Sequence, residues 1–222
     1  MNVRKIISET IAPVRVEQSG TDALYYLDEN HLTDIPLVDR TKLIGTISET
    51  DIYTLADPDK PLKDQIPAGL KRQYVVDGQH ITDALQVMAS ERIFVLPVLD
   101  ADENFIGCLT GTDLIVHMGR FMALDLQGAI LVLEISRHDW VLSQIAQIAE
   151  SLDIRILDVI LTPKNDTNLV EVTIKVNTFE IQTLIQELNR YNYIVKATYT
   201  RSEKMRDDLR DRYDALMKYL NI

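Results

Sequence analysis

The first half of the chain is written twice. Thr21-Asp22-Ala23-Leu24 returns as Thr82-Asp83-Ala84-Leu85, 61 residues later, and Ile35-Pro36-Leu37-Val38-Asp39 returns as Leu96-Pro97-Val98-Leu99-Asp100 at the same offset. Leu43-Ile44-Gly45 and Thr50-Asp51-Ile52 return as Phe105-Ile106-Gly107 and Thr112-Asp113-Leu114, now offset by 62. The extra residue falls between Asp100 and Asn104, in a polar turn where an insertion costs little. A repeat this regular requires two copies of one supersecondary unit, each too small to bury a core alone and each completed by its twin.

Both copies carry the same local signals. Ala23, Leu24 and Leu27, and then Ala84, Leu85 and Met88, recur at helical spacing. Thr21 and Thr82 are the expected N-caps, since a hydroxyl there accepts from an unpaired backbone amide. A short apolar strand follows, then a polar turn, then a second strand expected to end at Gly45 or Gly107, and a helix starting near Thr50 or Thr112. A further short strand precedes each unit, at Val14 to Val16 and Tyr74 to Val76.

From Gly128 the pattern changes. Ala129 to Ile135 reads as a buried strand, Trp140 to Leu152 as an amphipathic helix, and Ile154 to Leu161 as a β-branched strand. Pro163-Lys164-Asn165-Asp166 marks a turn. Val170 to Val176 alternates as a half-wet strand, Phe179 to Tyr191 is a second helix, and Tyr193 to Tyr199 a last strand. The order βαββαβ is ferredoxin-like. Met205, Leu209, Tyr213, Leu216 and Leu220 then line one stripe of an expected tail helix, which needs a partner surface to be stable.

Several function classes lack support. The net charge is 23 minus 34, or −11, which on average repels a phosphate backbone. No apolar run reaches the roughly 18 residues of a membrane span, and the N-terminus does not read as a secretory signal, so a cytoplasmic protein is expected. Cys108 is the only cysteine and lies on an apolar strand; the four histidines are scattered, with no metal-ligand spacing. No nucleophile elbow, P-loop or dinucleotide fingerprint appears, so neither catalytic nor metal residues are expected.

The segment Gly45-Thr46-Ile47-Ser48-Glu49-Thr50-Asp51 and its copy Gly107-Cys108-Leu109-Thr110-Gly111-Thr112-Asp113 share one pattern: Gly, two mostly apolar residues, Ser or Thr, two variable residues, Asp. Occurring twice at matching phase, this pattern resembles that of a tandem CBS-domain pair, over residues 1 to about 122. The resemblance implies a cleft between repeats that holds an adenosyl ligand. Ser48 and Thr110 would approach a phosphate or ribose oxygen, and Asp51 and Asp113 would accept from the ribose hydroxyls. Gly45 and Gly107 would let the backbone turn into the motif. Ile35 and Leu96, beside Pro36 and Pro97, would wall a purine ring. The residue before the final Asp is often Arg in the family and is Thr50 and Thr112 here, which weighs against a polyphosphate such as ADP or ATP and tilts toward AMP, an adenosyl compound such as S-adenosylmethionine, or no ligand. Lys71 and Arg72, near the first strand of the second repeat, either compensate for that Arg or form a solvated surface pair.

Residues 128–200 resemble an ACT domain, a module that often binds amino acids. The loop that in that family resembles Asp-x-Pro-Gly is Arg137-His138-Asp139-Trp140 here, with a bulky side chain at the Gly position; Trp140 reads as an interface anchor or an ordinary core aromatic. The expected organisation is an α+β / α/β chain: a CBS-like repeat at 1–60, a second at 61–124, an ACT-like ferredoxin-like domain at 127–200 and an amphipathic helix at 201–222. It resembles stand-alone CBS–ACT proteins of the acetoin-utilisation-associated type. The implied function is regulatory: a homodimer whose packing responds to AMP, another adenine nucleotide or S-adenosylmethionine, acting on a downstream protein. An interaction module with empty clefts and an amino-acid sensor are the alternatives.

Overall fold

The computed structural model describes residues 1–8, 10–164 and 168–200. It divides into two compact units, Met1–Phe121 and a second that begins at Met122. The tail helix expected over 202–220, and half of the turn at 163–166, lie outside the described residues.

In the first unit each repeat contributes two strands and two helices, preceded by a two-residue strand: β1 (Val14–Arg15), α1 (Gly20–Glu29), β2 (Asp34–Asp39), β3 (Lys42–Ser48) and α2 (Glu49–Tyr53), then β4 (Val75–Val76), α3 (Ile81–Glu91), β5 (Val95–Leu99), β6 (Phe105–Thr110) and α4 (Gly111–Phe121). The sheets have equivalent orders, β1-β2-β3 and β4-β5-β6. In each, the first pairing is parallel and the second antiparallel. Even the register shifts correspond, falling between Leu37 and Val38 and between Val98 and Leu99.

Two boundaries differ from the expectation. The N-caps of α1 and α3 are Ser19 and His80, two residues upstream of Thr21 and Thr82. The reason is reciprocity: from Ser19 and His80 the third helical residue is Asp22 or Asp83, whose carboxylate takes the cap amide and closes a capping box. Counted from Thr21 or Thr82, that position is Leu24 or Leu85, which cannot. The second strand of each repeat also runs past its glycine, to Ser48 and Thr110.

The two cores are cross-completed. Val3 and Ile6, from a 3-10 turn at the chain start, are buried with Val75, Ile81, Leu96, Val98 and Leu109 of the second repeat. Leu62 and Leu70, from the segment joining the repeats, pack with Val14, Leu27, Ile35 and Ile47 of the first. The spatial halves therefore do not follow the sequence boundary at 60/61. A smaller cluster of Val38, Leu43 and Leu99, backed by Tyr74 and Phe105, links the repeats.

The second unit contains β7 (Ile130–Ser136), α5 (Leu142–Ser151), β8 (Ile156–Pro163), β9 (Leu169–Val176), α6 (Gln182–Arg190) and β10 (Ile194–Tyr199). The order β10-β7-β9-β8, antiparallel throughout, is the ferredoxin-like arrangement. Leu131, Leu133, Val170, Val172 and Ile174 face Ile145, Ile148, Leu184 and Leu188 in its core, and Trp140 packs partly buried against it. Glu134 and Glu171 stand directly opposite each other on β7 and β9, a repulsive pairing. Lys164 bonds Glu134 and lies 3.4 Å from Glu171, and Lys196 bonds Glu171, which offsets it.

Candidate ligand-binding cleft

The β3–α2 junction is built as a closed capping box. The Ser48 amide and hydroxyl donate to Asp51 Oδ2 at 2.8 and 2.6 Å, and the Asp51 amide donates to Ser48 Oγ at 3.3 Å. An Asp in the first turn also complements the helix dipole. Both motif residues thus have a structural role in the cap itself. Asp51 Oδ1, however, receives no hydrogen bond from the described residues, so half of the carboxylate's acceptor capacity is unused.

The joining segment forms one wall. Thr46 donates its amide to the Lys71 carbonyl at 2.8 Å, an isolated bridge beside β3. This approach explains Gly45, although not as a turn residue: it sits within β3, and a Cβ there would lie 2.8 Å from Leu70 Cβ and 2.9 Å from the Lys71 oxygen. The twin junction repeats the device. Ser8 donates to the Cys108 carbonyl at 2.8 Å, and a Cβ on Gly107, whose φ is +147°, would lie 2.4 Å from Ile7 Cγ2. Thr110 Oγ1 donates to Asp113 Oδ2 at 2.6 Å and accepts the Asp113 amide at 3.0 Å.

Together β3, α2, the joining segment and the end of α3 enclose a cleft of about 500 Å³, within the roughly 300–1,000 Å³ of small-molecule sites. Ser48, Thr50 and Asp51 line it from the first repeat, Leu70 and Lys71 from the joining segment, and Glu91, Arg92 and Ile93 from the second repeat. Asp34, paired across the sheet with Ser48, lies at its edge. Burial pushes the Asp34 carboxyl above its ordinary range, against the opposing pull of the Thr33 hydroxyl and the Lys71 charge.

Several expected site residues sit elsewhere. Ile35 and Leu96 are 0% exposed, and Pro36, Gly45 and Pro97 are also buried. Ile35 and Leu96 belong to the two repeat cores and do not wall the cleft; each lies on the middle strand of its sheet. Leu70 and Ile93 supply the apolar lining instead. Ser48 and Asp51 do line it. Thr110, Asp113 and the half-buried Gly107 lie at the twin junction. Lys71 faces the cleft, whereas Arg72 turns away, donating to the Leu43 carbonyl at 3.2 Å and resting 5.5 Å from the Tyr74 ring. Arg92 and Asp34 were not singled out from the sequence. Arg92 ends α3 in a left-handed conformation, φ +55°, for which the sequence carries no glycine or asparagine signal.

A second cavity, about 420 Å³, lies in the ferredoxin-like unit beside the loop after β7. Glu134, Asp139, Gln144, Asn192 and Tyr193 line it, with no lysine or arginine in its lining. Burial, then the nearby Asp139 charge, raises the Tyr193 phenol, which donates to Gln144 at 2.6 Å. Among the described residues, no group of three or more His, Cys, Asp or Glu side chains is placed to hold a metal ion, and no helix is long and apolar enough to cross a membrane.

Twin strand–helix units that complete each other's cores around a cleft define a paired-repeat module. Residues 3–57 and 72–120 both match the CBS domain family, and the first half of this chain is a tandem CBS pair. The inosine-5′-monophosphate dehydrogenase of Methanocaldococcus jannaschii is 24% identical over 132 residues, 58% of this chain and 26% of that enzyme. The chain spans about a quarter to a third of the length of the curated relatives it matches. Among solved structures, a CBS domain pair/ACT domain protein from Thermotoga maritima is 20% identical, covering 55% of this chain and 99% of that one at a TM-score of 0.49. CBSX2 in complex with AMP is 25% identical, covering 54% and 97% at a TM-score of 0.45.

Proposed function

We propose that this chain is a regulatory protein that binds an adenosyl ligand, with AMP the best fit, between its CBS repeats. The observation that carries the reading is the divided use of Asp51: one carboxylate oxygen caps α2 while the other is unused at a cleft of nucleotide size. That oxygen is the acceptor for the ribose hydroxyls, and an ionised acceptor makes those bonds strong. Lys71 and Arg92 are the counter-charges for a phosphate. Against them stand Asp34, Asp51 and Glu91, a balance that suits one phosphate better than three. The Arg that the family often places before the Asp is Thr50 here, which points the same way.

Regulation follows from which elements line the cleft. The lining comes from the first repeat, the joining segment and the end of α3, so an occupant sets the spacing between repeats. A ligand that binds one spacing better than another shifts the protein toward it. The downstream element is packing between copies of the chain. On the first unit, Ile115 is 73% exposed on α4 and Phe94 is 67% exposed before β5, apolar area of the kind that marks protein contacts.

An amino-acid sensor acting through the second unit is less well supported. Its cavity offers carboxylates to an ammonium group and no cation to a carboxylate. Isothermal titration with AMP, ATP and S-adenosylmethionine tests the reading. AMP is expected to bind the wild type and to bind Asp51→Ala at least tenfold more weakly. No heat with any of the three favours an interaction module with empty clefts.

A further inference from the structure

Asp34, at the edge of the cleft, has one side-chain oxygen, itself buried, that the fold leaves unserved. Asp34 Oδ1 is buried and has no hydrogen-bond partner, the only such side-chain atom among the described residues. Its twin, Oδ2, takes the Thr33 hydroxyl at 2.8 Å. Buried acceptors are rarely left without a donor, because removal from water is then uncompensated. The Lys71 charge acts on Asp34 through space, without a hydrogen bond.

The place of Asp34 matters more than its strain. It opens β2 and is paired with Ser48, so it lies one strand away from the junction that holds Asp51. Leu70 and Ile93 supply apolar surface to the same cleft. A ligand held between Asp51 and the apolar surface of Leu70 and Ile93 shares its cleft with Asp34.

We propose that Asp34 selects the base: its unpartnered oxygen accepts a hydrogen bond from the exocyclic amino group of a 6-aminopurine, so that the cleft prefers adenine over purines without that group. This rests on the nucleotide reading above and adds the residue that discriminates. The carboxylate reaches the ligand by turning about Cβ–Cγ, a torsion with a broad profile, while the Thr33 hydroxyl rotates to follow. Binding then gives a donor to an oxygen that lacks one in the free protein. An ionised carboxylate accepts only, so the 6-oxo group of hypoxanthine meets it acceptor to acceptor.

The test is a titration series on the full chain with AMP, purine riboside 5′-monophosphate, which lacks only the amino group, and inosine 5′-monophosphate. AMP is expected to bind at least tenfold more tightly than either, and Asp34→Asn, whose amide offers both donor and acceptor, is expected to bring AMP and inosine 5′-monophosphate within about threefold of each other. The melting temperature of ligand-free Asp34→Asn, at or above that of the wild type, shows that the variant is folded. Equal binding of AMP and the purine riboside nucleotide overturns the role of Asp34 and leaves the nucleotide reading standing. Undiminished discrimination in Asp34→Asn does the same. Failure of AMP itself to bind the wild type overturns both.

Discussion

Ser48 and Asp51 hold each other: the serine hydroxyl lies 2.6 Å from Asp51 Oδ2, and the aspartate amide returns a bond to that hydroxyl. The pair that reads as a nucleotide motif is therefore also a helix cap, and the two roles separate by substitution. Ser48→Ala is expected to lower the stability of the ligand-free protein by about 1 kcal/mol, the usual cost of losing an N-cap, measured by urea denaturation. An unchanged midpoint contradicts the structural half of this assignment.

Gly45 and Gly107 test the close approach that builds the two junctions. Gly45→Ala forces a Cβ into Leu70 and the Lys71 carbonyl, an overpacking expected to cost about 1–3 kcal/mol and to weaken ligand binding, since the same segment forms the cleft wall. Gly107→Ala meets Ile7 and also a φ of +147°, so its loss of stability is expected to be the larger. Denaturation midpoints of the two variants give the order, and the reverse order contradicts this account.

The repeat, the strand–helix order of both halves and the Ser48/Asp51 junction were legible in the sequence because each is written in local signals: hydrophobic period, turn residues and capping chemistry. The cleft lining was not. Ile35 looked like a wall because it precedes a proline next to the motif, yet its strand lies between two others and Ile35 is buried in the core. Arg92 and Lys71 reach the cleft only because the joining segment crosses beside β3 and α3 ends there. Asp34 carried no signal at all, since its unpartnered oxygen is a property of packing. Ser19 could have been found as the cap, by asking which candidate has an acid three residues on.

Carboxylates with opposite shifts give a pH signature. Burial raises Asp34 above its unfolded value near 3.8, with Asp51, Glu91, Lys71 and Arg92 also lining its cleft. The folded state then holds that proton more tightly, so Asp34 lowers stability as pH rises through the window above 3.8. Asp34→Asn is expected to stabilise the ligand-free protein at pH 7, with the gain fading below pH 4. Asp22, held low chiefly by the Ser19 amide and then by its hydroxyl, acts in the other sense: its contribution is present above its unfolded pKa and is lost as pH falls through the folded value. Asp22→Asn is therefore expected to destabilise at pH 7 and to change little in strong acid. Denaturant midpoints across pH 3–8 check both signs.

Cys108 is 0% exposed, and burial, then the Asp113 charge, pushes its thiol up to about 12. At pH 8 the thiolate is about one part in ten thousand. Ellman's reagent is expected to label the native protein far more slowly than the urea-unfolded chain; equal rates would show that the second junction is open.

The central claim is that Asp51 does more than cap a helix. It is tested most directly by thermal melting with AMP of the wild type, Asp51→Ala and Asp113→Ala. At about 100 times Kd, binding adds roughly 2.7 kcal/mol to the native state. A rise in Tm for the wild type that is absent in Asp51→Ala and retained in Asp113→Ala is the predicted result. The same rise in all three proteins, or none in the wild type, contradicts it.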